Sequence, residues 1–344
     1  MTAALANRIA AAGRARARRR TRIALGLGVL LCAGVALVLI SGPTLTPLLD
    51  VLRVLAGGDV PGASFAVREL RLPRAVLAVL AGMSFGLGGA AFQTMLRNPL
   101  ASPDIVGITA GGSAAAVFAI VVLGWRGPEV SVFALAMGLA AALAIYLLSW
   151  RNGVAGARLI LIGIAISAML DSAIAYILSI APTWTLQEAM RWLAGSLNGV
   201  QLAESGPLLA ALVVFGGLLL ALSRDLEALR LGDDKAAALG VRLGRTRLLV
   251  TLAAVGLIAV ATSVTGPIAF VAFLSGPIAA RLAGPDRSVL IPAALIGAGL
   301  VLAGDFAGQS LLPSRYPVGV VTGVLGAPYL LYLIIRVNRG GGSM

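Results

Sequence analysis

Apolar residues run along this chain in long blocks, separated by short polar stretches. Neither a strand's strict alternation nor a surface helix's single apolar stripe dominates; the blocks are apolar all round. A bilayer core about 30 Å thick takes roughly 20 apolar residues per helical span. On that measure ten spans are predicted: 23–41, 73–95, 104–124, 129–149, 158–181, 207–223, 247–266, 268–283, 288–308 and 318–337. The third and eighth are short or interrupted by Gly and Pro, and the longer connections are 42–72, 182–206 and 224–246. The predicted fold class is all-α, a polytopic membrane protein with about ten transmembrane helices. Its expected organisation is a basic tail over 1–22, a membrane domain over 23–337 that includes a polar loop at 224–247, and a flexible tail over 338–344.

Composition strengthens this reading. The 344 residues are 59% hydrophobic and only 12% charged, against about 25% charged in a soluble domain. Mean hydropathy is +0.98. There is no histidine and one cysteine, Cys32, which excludes an internal disulfide and a histidine proton relay and argues against a zinc or haem site. Lys235 is the only lysine and follows "GDD" rather than a glycine-rich loop, so a phosphate-binding loop is absent. With no Ser–His or Cys–His pair either, the chain is not expected to be an enzyme.

The net charge of +13 reads as membrane topology rather than nucleic-acid binding. With an internal N-terminus and ten spans, 20 basic residues fall inside and 7 outside, as the positive-inside rule requires. Both termini are then cytoplasmic. The seven arginines of residues 1–22 are expected in a retained tail, because "SGPTLTP" after the first span offers no small-residue cleavage site.

Four features stand out. "MLRNPLASPDIVGITAGGSAA" (95–115) interrupts an apolar region with Arg97, Asn98, Pro99, Pro103, Asp104 and Gly107. "RELRLPR" places Arg68, Arg71 and Arg74 on the outer side, against the charge bias; the side chains either snorkel at a membrane edge or await an acidic partner. In the inner loop, "LGDDKAAALG" predicts a short helix capped by Asp233 and closed by Gly240, either a solvated loop helix or a dock for a cytoplasmic partner. Lastly, Asp171 and Asp305 lie inside spans, where charge marks function or internal pairing. On residues alone, a channel or assembly protein, a proton-coupled secondary transporter using Asp171 or Asp305, and a pump subunit remain open.

Four segments, in order, resemble one family: "RLPRAVLAVLAGMSFGLGGAAFQTMLRNPLASPDIVGITAGGSAA", "LEALRLGDDKAAALGVRLGRTR", "TGPIAFVAFLSGPIAARLAGPDR" and "LPSRYPVGVVTGVLGAPYLLYLIIR". They are similar to the permease subunits of bacterial ABC importers for iron–siderophores, haem and vitamin B12, most of all the ferric-siderophore (enterobactin-type) permeases. The resemblance covers nearly the whole chain. It implies a type II importer permease in the cytoplasmic membrane, paired with itself or a sister, with two ATPase subunits below and a binding protein above. ATP and Mg would be bound by the ATPase and no cofactor by this chain; the cargo would be a ferric siderophore, with haem or vitamin B12 as alternatives. Leu231, Gly232, Asp233, Asp234, Lys235, Ala238, Leu239, Gly240 and Val241 would seat in the ATPase. Arg71 and Arg74, with Arg68 beside them, would meet acids of the binding protein. The break at "RNPLASPD" would be an inner turn in which Asn98 and Pro99 stop one helix while Pro103 and Asp104 begin the next. Ser167, Asp171, Gly319, Gly323 and Gly326 are expected along the translocation path. Two positions depart from the family: Gly276–Pro277 stands where many relatives have Pro-His, and Gln309 where an arginine is expected.

Overall fold

In a computed structural model the described residues are 2–42, 44–102, 107–149, 156–284 and 288–340. Their regular structure is entirely helical. The elements are α1 (Thr2–Ile40), α2 (Leu48–Leu55), α3 (Ala66–Leu96), α4 (Ile108–Val121), α5 (Pro128–Ser149), α6 (Gly156–Ser179), α7 (Thr183–Leu193), α8 (Leu202–Ala221), α9 (Ser223–Leu229), α10 (Asp233–Ala238), α11 (Leu243–Thr265), α12 (Val271–Ala283), α13 (Leu290–Ser310) and α14 (Val318–Gly340). Seven helices are long and apolar enough to cross a membrane, and α4, α12 and the apolar part of α14 are shorter. These ten coincide with the ten predicted blocks. α2, α7, α9 and α10 fall in the three long connections.

Several boundaries differ from expectation for local reasons. The basic segment continues the first span as one helix from Thr2, since Ala and Arg are strong helix formers and no proline intervenes. α14 runs on to Gly340, so the expected tail is helical over 338–340, and 341–344 lie outside the described residues. α3 starts before its predicted position with a π-helical turn over Ala66–Arg71. That turn leads into Pro73 at the start of the regular helix, where a missing N–H is harmless. α4 and α12 have 14 and 13 residues, about 20 Å at 1.5 Å per residue, too short for the full hydrocarbon core. Before α12 the backbone from Gly266 to Phe270 is irregular, which at membrane depth only protein shielding makes tolerable.

α3 is the hub. It packs on α13, α11, α12 and α8, and α1 covers α13 on its outer side. In its most apolar window 78% of α3 is buried, against 11% for α6. Small residues bring the helices together: a Cβ on Gly86 would lie 2.2 Å from the Ala293 carbonyl oxygen, and one on Gly297 would lie 2.2 Å from that of Gly82. The pairs Gly82/Gly86 and Ala293/Gly297, each spaced by four, form the small-residue seam that membrane helices use in place of a hydrophobic driving force. Two buried clusters stack along α3. One holds Phe92, Met95, Leu226, Leu229 and Ala236 near α10, and the other holds Leu39, Val51, Leu77, Leu302 and Val318 at the opposite end.

Candidate functional site

At one end of the bundle, α10 stands out from the core as a single exposed turn and a half. Gly232 precedes it and no side chain caps it. Asp233, expected as the cap, is instead the first helical residue, and its carboxylate is drawn sideways. Arg247 of α11 donates to both its oxygens at 2.8 Å, and Arg97 approaches Oδ1 at 3.3 Å. Gly240 closes the helix as expected, at φ +89, with Val241 N–H donating to the Ala236 carbonyl and Gly240 N–H to that of Ala237, the left-handed stop that glycine favours. Only Ala236 turns inward; Leu231, Asp234, Lys235, Ala238 and Leu239 are exposed. Leu231 and Leu239 are 55% and 65% exposed, two large apolar side chains flanking alanines on a polar loop. Small and apolar together, that face is shaped for another surface.

Arg97 ends α3. Its backbone is left-handed at φ 54, a conformation that disfavours an L-residue by roughly 1–2 kcal/mol. Asn98 N–H donates to the Gln93 carbonyl, and the Asn98 side chain accepts from the Leu100 N–H at 2.9 Å. Arg97, Asn98 and Pro99 line a cavity of about 260 Å³ together with Gln93, Arg230 and Pro277. α3 thus ends at Leu96, with Arg97 as its left-handed cap and Asn98 and Pro99 just beyond. Gly107 caps the next in a left-handed conformation; Pro103 and Asp104 lie outside the described residues.

The arginines at the opposite end are bound into the fold to different degrees. Arg71, 9% exposed, is an internal strut. It donates to the carbonyls of Leu39, Ile40 and Thr44 and to the Thr46 hydroxyl, at 2.8–3.1 Å. These bonds satisfy the open end of α1, and Gly42 leaves the room for the guanidinium. Arg71 therefore offers no free surface to a partner. Arg74 pairs with Asp305 of α13 (Nε–Oδ2 2.7 Å) and donates to the Asn198 side chain. Asp305 is 2% exposed, so its place inside a span is explained by an internal cation. Arg68 is exposed and donates to the carbonyls of Val54 and Gly58. Gln309 reaches the Tyr316 carbonyl at 3.3 Å.

The expected path residues fall on two helices with different neighbours. α6 packs on α4 and α5, and α14 on α13 and α12. Ser167 is half-buried and Asp171 exposed on α6. On α14 the glycines face protein. A Cβ on Gly319 would lie 2.1 Å from the Ala194 carbonyl oxygen, one on Gly326 2.5 Å from Phe270, and one on Gly323 4.0 Å from the Ala269 methyl. Gly319 thus meets the backbone of Ala194 and Pro267, and its N–H donates to the Gly195 carbonyl. Close approach accounts for Gly319 and Gly326.

Sequence reasoning missed Gln93. Pro277 lies inside α12, lacks an N–H, and so frees the carbonyl four residues earlier, that of Phe273. Gln93 Nε2 donates to that carbonyl at 2.9 Å, and Gly276 provides the notch for its side chain. A proline within an apolar run signals the orphaned carbonyl; nothing in the sequence names the donor 180 residues away. Among the described residues no group of three His, Cys, Asp or Glu is arranged for a metal.

An all-helical set of described residues with a central glycine-seamed helix, seven long and three shorter apolar helices and an anchored loop helix is the architecture of a multi-pass membrane protein. The chain belongs to the FecCD transport family, whose model matches residues 30–336. It is 40% identical over 287 residues to the ferric enterobactin transport system permease protein FepG of Escherichia coli (strain K12), covering 82% of this chain and 86% of that one. It is also 40% identical over 291 residues to the achromobactin transport system permease protein CbrC of Dickeya dadantii (strain 3937), covering 83% of each. Among solved structures, an inward-facing metal-chelate type ABC transporter chain superposes with a TM-score of 0.82 at 26% identity, over 92% of this chain and 99% of that one.

Proposed function

We propose that this chain is the permease subunit of an ABC importer that carries a ferric siderophore across the cytoplasmic membrane. ATP and Mg are bound and ATP is hydrolysed by a partner ATPase; this chain binds no cofactor and performs no catalysis. The observation that carries the reading is α10: an exposed apolar and alanine face (Leu231, Ala238, Leu239) held to the core by Asp233. In this reading that face seats in the ATPase, on the side where basic residues concentrate, with both termini cytoplasmic. Curated relatives named for enterobactin and achromobactin transport favour a siderophore over haem or vitamin B12. With Arg71 internal and Arg74 paired, Arg68 is the arginine left open to acids of a binding protein on the far side. The exposed face of α6, with Ser167 and Asp171, borders the path against a second permease, identical or a sister.

Purification in mild detergent from iron-limited cells, with mass spectrometry of the bound chains, tests the reading. An ATPase at about equal amount to total permease is expected. Recovery without an ATPase, even after crosslinking, refutes it. The double variant Asp234→Arg/Gly240→Trp should release the ATPase.

A further inference from the structure

We propose that Arg97 and Asp233 form the mechanical link that turns movement of α10 into movement of the bundle's central helix. The inference rests on α10 being the ATPase-bound helix and adds the route by which its displacement enters the membrane domain.

Three observations carry it. First, Arg97 occupies the left-handed position that ends α3, where glycine is the strain-free choice. An arginine there needs a reason, and backbone strain of this kind persists where surrounding structure requires it. Second, the reason is visible: the guanidinium reaches Asp233 at 3.3 Å, and it also lies over the Gly232 backbone, 3.6 Å from where a Cβ would stand. Third, Asp233 accepts from Arg247 as well. One carboxylate at the root of α10 therefore clamps the end of α3 and the first turns of α11. α3 packs against α11, α12 and α13, so a shift of α10 reaches the helices that build the interior. Without the clamp, α10 keeps the core packing of Ala236 but is flanked by two glycines of positive φ, Gly232 (φ 104) and Gly240 (φ 89), so the loop absorbs more of its displacement.

A residue that merely caps α3 and one that transmits force respond oppositely to Arg97→Gly. That change relieves the strain and keeps the cap, so a capping role predicts equal or better stability with full transport. The link predicts something else. In the native host, with the variant as sole copy and radioactive ferric iron supplied to iron-starved cells making their own siderophore, uptake falls roughly tenfold, within the usual range for loss of an inter-site coupling. Permease abundance, bound ATPase and ATP hydrolysis in membranes stay at the wild-type level. Asp233→Asn also lowers uptake, and the double variant is no worse than the poorer single, as for two ends of one connection. Arg97→Lys, as strained as the original but still cationic, recovers most of the uptake. Wild-type uptake in Arg97→Gly with the ATPase bound overturns the link and leaves the functional reading intact. Loss of the ATPase from Arg97→Gly also overturns it, making Arg97 a docking residue. If the wild-type chain binds no ATPase, the functional reading fails and the link with it.

Discussion

Gln93 holds a position in α3 where an apolar residue would be ordinary, yet its amide closes the gap that Pro277 opens in α12. Gln93→Ala leaves the Phe273 carbonyl without a donor in a buried site, a penalty of about 1–3 kcal/mol, read as a lower unfolding midpoint in detergent. Introducing Pro277→Ala first should shrink that penalty, because the helix then supplies its own N–H; an equal penalty in both backgrounds refutes the pairing. Asp305→Ala strips Arg74 of its counter-charge and should destabilise by about 3–5 kcal/mol, with Asp305→Asn milder. Undiminished stability in Asp305→Ala would mean the pair is not formed. The identities of these residues were legible as anomalies: an acid in a span, a proline in a helix, arginines on the wrong side. Their partners were not. Arg74 and Asp305 are separated by most of the chain, and sequence patterns register period and charge, not which distant side chains face each other.

At the scale of helices, the seam between α3 and α13 decides whether the bundle closes. Gly86→Val places a branched side chain where a methyl group already meets the Ala293 carbonyl, and should abolish the monodisperse folded species on size exclusion. Gly299→Val on the same α13 meets nothing within 4 Å and should be tolerated. The ten apolar helices were readable because hydrophobic length is a direct consequence of bilayer thickness. α10 was readable because its good helix formers end in Gly240. α2 and α7 were not, since each is amphipathic but only 8 and 11 residues long, below the length that bilayer thickness selects. Among the glycines of α14, Gly319 makes room for the Ala194 backbone and Gly326 for the Phe270 side chain; glycine spacing alone does not say which surface it makes room for.

For the molecule as a whole, the apolar windows of α1 and α6 are the least buried among the described residues, each at 11%, and α6 is the one that carries an acid. α6 is 11% buried in its apolar window and carries exposed Asp171 and Met169, in a setting where an acid facing lipid is unfavourable. If a second permease covers it, Met169→Cys in a Cys32→Ser background should form an oxidation-dependent crosslink between permeases in native membranes. A crosslink formed only with unrelated proteins would remove this face from the interface.

The central place of α3 also bears on how the chain is made. Its first long helix to be enclosed is the second to leave the ribosome, while α11, α12 and α13 follow more than 140 residues later. Arg74 precedes Asp305 by 231 positions, roughly ten to fifty seconds of synthesis at ~5–20 residues per second. Throughout that interval Arg74 has no Asp305 to pair with, and Gln93 has no α12 carbonyl to bind. The nascent protein must therefore keep its future centre at a protected or water-accessible site until the C-terminal half arrives, so the last helices inserted determine when the hub is finally buried.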